Sequence, residues 1–145
     1  RLLVANAGVL LARVIHVNVR PDGRRFLVLD AAMNDLMRPA LYDASHPLIP
    51  LTNKGRAEGL YDVVGPVCET GDTFARDRPL PELEAGDLVA FKGAGAYGAA
   101  MASEYNSRPL VPEVLVDGNR FAVVRPRPDY AAMLARETVA PWLAD

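Results

Sequence analysis

The run Gly65-Pro66-Val67-Cys68-Glu69-Thr70-Gly71-Asp72 sets the chain's single cysteine beside a carboxylate, between residues that force a tight backbone path. Chemistry is expected there. A turn flanked by Pro66 and Gly71 is where a rigid scaffold presents such groups. The other reading of a lone cysteine is a small buried hydrophobe without reactivity, and its environment decides between the two.

Two further clusters carry chemistry. In Met33-Asn34-Asp35-Leu36-Met37-Arg38-Pro39-Ala40-Leu41-Tyr42-Asp43-Ala44, Arg38 and Tyr42 lie four apart and face the same way on even one helical turn. Arg38 can then grip a carboxylate through its planar fork while Tyr42 donates a second hydrogen bond. A surface arginine paired with Asp35 or Asp43 is the alternative. In Gly93-Ala94-Gly95-Ala96-Tyr97-Gly98, glycines let a backbone approach a ligand closely and leave the Tyr97 phenol free to donate to a phosphate or carboxylate. The segment lacks the Gly-Lys-Ser/Thr of a Walker loop and the strand-to-helix dinucleotide fingerprint, and a plain glycine-rich turn fits it as well. His16 and His46 are isolated and read as ordinary strand or loop histidines.

The elements that must position these clusters are mainly β. Residues 9–19 are rich in Val, Leu and Ile and end at Arg20-Pro21-Asp22-Gly23, after which 25–29 resumes apolar, so the pair predicts a hairpin. Further strands are expected at 61–67, 88–91, 113–116 and 121–125, with Asp117-Gly118-Asn119 turning between the last two. Short helical turns are expected at 34–41 and 99–103, and a terminal helix over 129–140 with Asp129 as its N-cap; 54–59 reads as a polar loop. Short strands with Gly- and Pro-bearing turns predict a β-sandwich or β-barrel.

Composition bounds the partners. The chain has 145 residues, half of them hydrophobic, which suits one domain with a real core. A net charge of −2, from 16 Lys and Arg against 18 Asp and Glu spread along the chain, supplies neither a basic stripe for nucleic acid nor a polybasic arm for lipid. One cysteine cannot close an internal disulfide, and no Cys/His group has zinc spacing, so a reduced, cytoplasmic protein without a metal is expected. The apolar opening from Arg1 to Leu11 is too short for a membrane span and lacks the features of a signal peptide. A chain that opens on Arg1, in strand-like sequence, reads as a fragment of a longer polypeptide.

The order Val-Ala-Asn-Ala-Gly (4–8), the Met33 to Ala44 segment, Gly-Pro-Val-Cys-Glu-Thr-Gly-Asp (65–72), Gly-Ala-Gly-Ala-Tyr-Gly (93–98) and Tyr-Asn-Ser-Arg-Pro (105–109) resembles the C-terminal portion of the diaminopimelate decarboxylase family, from Arg1 to about Trp142. The resemblance implies a pyridoxal 5'-phosphate enzyme of the fold type shared with alanine racemase and eukaryotic ornithine decarboxylase. An N-terminal (β/α)₈ barrel, absent from this chain, would hold the cofactor on a lysine. Residues 1–145 would be the C-terminal β-sandwich or Greek-key β-barrel domain, with short helices and a C-terminal helix. The implied reaction is decarboxylation of meso-2,6-diaminopimelate to L-lysine, the last step of lysine biosynthesis.

In the family pattern Arg38 and Tyr42 contact the end of the substrate that is not decarboxylated. Arg1 matches the arginine closing a Glu-Pro-Gly-Arg motif, of which only that residue is present here. Cys68 and Glu69 match a pair inserted into the partner subunit's active site, and Tyr97 matches a tyrosine near the cofactor phosphate and substrate. A homodimer with shared active sites is thereby implied. A substrate with an amino acid group at each end needs a distal carboxylate satisfied, by Arg38 and Arg1, and a distal ammonium satisfied, by Glu69. Cys68 is the implied proton donor to the α-carbon after carbon dioxide leaves. Sister decarboxylases acting on ornithine, lysine or carboxynorspermidine share the cysteine turn and the tyrosine loop, and a non-catalytic, partner-binding homologue is the reading from a different class. Without the barrel, the 145 residues are expected to be inactive, with 4–11 packing on the barrel or a second subunit.

Overall fold

Val9–Val19 (β1) and Arg25–Leu29 (β2) form the expected hairpin with the expected bounds. Gly23, at φ 86°, donates its amide to the Arg20 carbonyl at 2.9 Å and lets the chain reverse. Asp22 accepts from the Arg24 amide at 3.0 Å, and that bond, followed by the Arg24 guanidinium, holds its carboxyl below the usual carboxylate range.

The computed structural model describes residues 2–51 and 55–143, which divide into two units, Arg1–Ala102 and Ser103–Asp145. The first adds Arg38–Tyr42 (α1), Leu48–Pro50 (β3), Glu58–Val64 (β4), Thr73–Pro81 (β5) and Leu88–Lys92 (β6). Its sheet has six strands in the order β3-β6-β1-β2-β4-β5. All neighbours are antiparallel except β2 and β4, which pair in parallel with Phe26 opposite Asp62. A parallel pair needs a long crossover, and that crossover contains α1, so the sheet's one parallel step creates the segment bearing Arg38 and Tyr42.

The sheet is barrel-like. β1 pairs with β6 over Val9 to Arg13 and with β2 over Val14 to Val19, with a register shift between Val14 and His16 where the strand bends. Phe74 on edge strand β5 and Phe91 on β6 lie far apart in the strand order, yet their ring centroids are 4.7 Å apart, so the sheet curls until its ends share one core. Val14, Leu27, Leu29, Leu36, Val63 and Val89 have no accessible surface, and each such burial contributes roughly 1.5–3 kcal/mol. The outer face of β1 stays apolar and exposed at Val9, Leu11 and Ile15.

The second unit holds Glu113–Asp117 (β7) paired with Arg120–Arg125 (β8) through the expected turn, which Gly118 enters at φ 60°. An Arg125 to Glu113 ion pair at 2.9 Å closes the open end. Tyr130–Leu134 (α2) starts where expected, with Asp129 accepting the Ala132 amide at 2.7 Å.

Several expectations are corrected. The terminal helix stops at Leu134 rather than running to 140, and Thr138, Val139 and Pro141 are poor residues for extending it. The turn at 34–41 becomes helix only from Arg38, and at 99–103 the helix is a 3₁₀ turn, Ala99–Met101. The strand expected at 61–67 is β4, shifted to Glu58–Val64, so the polar loop ends before Glu58; Lys54 lies outside the described residues. The described residues begin, from Leu2, with a turn and a 3₁₀ helix, Ala5–Ala7, ahead of β1. β3 and β5 were not expected: both contain proline, which sheet edges tolerate, and β5 is interrupted by Asp77 at φ 45°, whose amide is held by Asp62 at 3.0 Å.

Candidate functional site

Segment 30–37 reaches α1 along a path fixed from inside. Asn34 and Leu36 are fully buried, Asp35 nearly so; the Asp35 carboxylate accepts from the Ala32 amide at 2.9 Å and from the Asn34 amide group at 3.3 Å. These bonds satisfy polar groups that burial would otherwise penalise, and they aim the chain so that α1 begins at Arg38, with Pro39 in its first turn. Tyr42 follows one turn later and is exposed. Asp43 then ends the helix in the left-handed region at φ 51°.

Arg38 meets Tyr97, its guanidinium carbon 6.0 Å from the ring centroid. Such a cation–π contact at a partly open site contributes about 0.5–1 kcal/mol and orients both planes. An ion pair from Arg38 to Asp35 or Asp43 is not among those of the described residues.

The loop presenting Tyr97 is built by missing side chains. The Ala94 amide donates to the Gly8 carbonyl at 3.0 Å and the Gly95 amide to the Ala5 carbonyl at 3.1 Å. A Cβ on Gly95 would collide with the Val4 carbonyl oxygen and lie 2.7 Å from the Gly8 nitrogen, while one on Gly8 would lie 2.5 Å from the Gly95 Cα. Two motifs of the sequence, 4–8 and 93–98, therefore dock on each other backbone to backbone, and the close approach that Gly8 and Gly95 allow is one of the chain to itself. Tyr97 stands outward from this contact with φ 62° and half its surface exposed. His46 is buried, with Nδ1 3.0 Å from the Lys92 carbonyl at the end of β6.

Cys68 and Glu69 lie on the turn between β4 and β5, both exposed. The buried-hydrophobe reading of Cys68 is thereby set aside. The turn is laced by its own backbone: Gly65 donates to the Asp72 carbonyl at 3.0 Å, Glu69 to Val67 at 2.8 Å and Asp72 to Glu69 at 3.1 Å. The Asp72 carboxylate, nearly inaccessible, accepts from the Val67 amide and from the Met33 amide, each at 2.7 Å. Asp72 closed the motif in the sequence without a role; its signal was an acid one step before a strand and seven residues after a glycine.

The fold thus sets Arg38 against Tyr97, keeps Tyr42 one turn along α1 and holds Cys68 and Glu69 on a separate turn; Arg1 lies outside the described residues. A groove of about 380 Å³ runs beside α1, lined by Ala40, Asp43, Thr70, Arg76 and Arg78 among others, but by none of the sequence-predicted site residues. Among the described residues no cluster of His, Cys, Asp and Glu could hold a metal ion, and no helix is long and apolar enough to cross a membrane. The Tyr97 ring is half exposed, with the Arg38 guanidinium against it.

The chain is 52% identical over 143 residues to the diaminopimelate decarboxylase of Zymomonas mobilis, covering 99% of this chain and 34% of that protein. The crystal structure of diaminopimelate decarboxylase from Helicobacter pylori complexed with L-lysine superposes with a TM-score of 0.85 at 41% identity, over 92% of this chain and 32% of that one. The lysine/ornithine decarboxylase of Vibrio vulnificus complexed with cadaverine is less similar, with a TM-score of 0.64 and 30% identity over 71% of this chain and 28% of that one. The chain spans about a third of the length of these relatives, so the (β/α)₈ barrel is not part of it. Residues 2–95, which hold all six strands of the sheet, α1 and the 65–72 turn, match the pattern named "Pyridoxal-dependent decarboxylase, C-terminal sheet domain", and the chain belongs to that family.

Proposed function

We propose that residues 1–145 are the C-terminal domain of a two-domain, cytoplasmic, homodimeric diaminopimelate decarboxylase that converts meso-2,6-diaminopimelate to L-lysine. The observation that carries this reading is the 52% identity to a diaminopimelate decarboxylase over 99% of the chain. The placement of Arg38 against Tyr97, with Cys68 and Glu69 exposed on a separate turn, supports a site assembled from two chains.

In this reading Arg38, with Tyr42 and Arg1, binds the distal carboxylate of the substrate. Tyr97 donates its phenolic hydrogen toward the cofactor phosphate. Glu69 of the second chain accepts hydrogen bonds from the distal ammonium. Pyridoxal phosphate, held on a lysine of the barrel domain, supplies the electron sink when bound. The bond from the α-carbon to its carboxylate breaks, carbon dioxide leaves, and the Cys68 thiol of the second chain gives the proton that forms the new C–H bond; solvent then restores the thiol. Lysine and ornithine lack the distal carboxylate, so they would leave Arg38 without its partner, a loss of about 3–5 kcal/mol for a buried charge.

The test is carbon dioxide release by the full two-domain enzyme, loaded with cofactor, from meso-diaminopimelate, L-lysine and L-ornithine. Release from diaminopimelate alone is expected, with kcat/KM falling roughly 100-fold or more in Glu69→Ala. Release from lysine or ornithine instead would transfer the assignment to a sister decarboxylase, and none would favour the non-catalytic homologue. Normal turnover and product stereochemistry in Cys68→Ser would remove the thiol from the protonation step.

A further inference from the structure

We propose that Asp72 is the positioning residue of the Cys68-Glu69 turn, locking it to the segment that leads into α1; this rests on the functional reading above. The two oxygens of its carboxylate face two separate pieces of chain. Oδ2 accepts the Val67 amide from within the turn, and Oδ1 accepts the Met33 amide from the crossover, both at 2.7 Å. Through its backbone the same residue also accepts from Gly65 at 3.0 Å and donates to the Glu69 carbonyl at 3.1 Å. Four hydrogen bonds through one residue therefore fix Gly65, Val67, Glu69 and Met33 in a common frame.

The room for this carboxylate comes from Gly65, where a Cβ would lie 2.6 Å from the Asp72 Cγ. With only 2% of its surface accessible, the carboxylate exchanges water for backbone donors, and short charge-assisted bonds compensate that loss. Glu69 and Cys68 are exposed on the turn, and the path of its backbone sets where both side chains start. Met33 lies between Ala32 and Asn34, inside the segment whose bonds to Asp35 set the start of α1, so the staple carries the geometry of Glu69 to that of Arg38. Substrate contacts tolerate little misplacement, and an error of about 1 Å can lower a rate by roughly 100-fold.

Asp72→Asn keeps the shape but turns an NH₂ group toward one of the two amides. In the full, cofactor-loaded enzyme, amide hydrogen exchange at Met33 and Val67 is expected to rise at least about 10-fold, with Leu27, Val63 and Val89 unchanged. The kcat/KM for meso-diaminopimelate is expected to fall about 10- to 100-fold in the wild-type background and by a clearly smaller factor when added to Glu69→Ala, because part of the loss runs through the Glu69 contact. Gly65→Ala displaces the same carboxylate without removing it and must show the same exchange signature. Unchanged exchange at Met33 and Val67 in both variants overturns the staple. Changed exchange with fully additive losses overturns the positioning role and leaves a merely structural one. Glu69→Ala with wild-type turnover is a different failure: it sinks the proposed substrate contact, while the exchange arm still decides the staple.

Discussion

The 93–98 loop and the 65–72 turn each hold a candidate side chain out to solvent, and they are built by opposite means. The first is placed by an absence: Gly95 and Gly8 let two backbones meet, and the carbonyls of Ala5 and Gly8 accept the loop's amides. The second is placed by a presence, the buried Asp72 carboxylate, which gathers amides from two segments around one charge. A backbone contact of the first kind tolerates no added atom on either side. A carboxylate centre tolerates additions at its periphery but not at the space the charge occupies, and it alone of the two carries a titratable group.

Three glycine substitutions separate these devices, each read by denaturant unfolding of the full enzyme. The largest effect belongs to Gly95→Ala, whose methyl group would strike the Val4 carbonyl and the Gly8 nitrogen, both backbone atoms that cannot swing aside. A loss of about 3 kcal/mol or more is expected. A loss under about 1 kcal/mol would mean that the two motifs separate readily and that Tyr97 is not held by their contact. Gly65→Ala comes next: the methyl group meets the Asp72 carboxylate, with its Cγ at 2.6 Å, and a loss of about 2 kcal/mol is expected from the disturbed amide bonds. Were the two losses reversed in order, the contrast between rigid backbone and displaceable carboxylate would be broken. Gly71→Ala is the smallest. Its methyl group would lie 3.2 Å from the Glu69 carboxylate tip and 3.7 Å from the Met33 sulfur, both ends of flexible side chains. Stability is expected between unchanged and about 1 kcal/mol higher, since alanine restricts the unfolded chain. A destabilisation of 2 kcal/mol or more would show that the turn has no slack at its periphery.

The limits of the two units differ as well. In the sheet unit, side chains from both ends of the strand order meet at Phe74 and Phe91. The β7–β8 pair, taken by itself, leaves Val114, Leu115, Val116 and Phe121 exposed, and a two-stranded ribbon of this length is at best marginal without a covering surface. That exposure accords with a chain spanning a third of its relatives' length.

What the sequence by itself determined is what neighbouring residues decide among themselves. The β1–β2 hairpin has its expected bounds because a run of β-branched residues, a Pro-Asp-Gly turn and a second run agree locally. Asp129 caps α2 because a side chain three residues from an amide needs no tertiary help. The turn character of 65–72, and the Arg38 to Tyr42 spacing on one helical turn, were legible for the same reason. Tertiary structure decided what depends on distant chain. β5 is a strand despite its prolines and charges because β4 supplies its hydrogen bonds, and α2 stops short because propensity fails near Thr138 and Val139 where nothing is packed to rescue it. Gly95 faces a segment about 90 residues earlier, and Asp72 reaches an amide 39 residues before it. Neither partner can be inferred from spacing, because the curl of the sheet, fixed by the burial of its core, is what brings them within bonding distance.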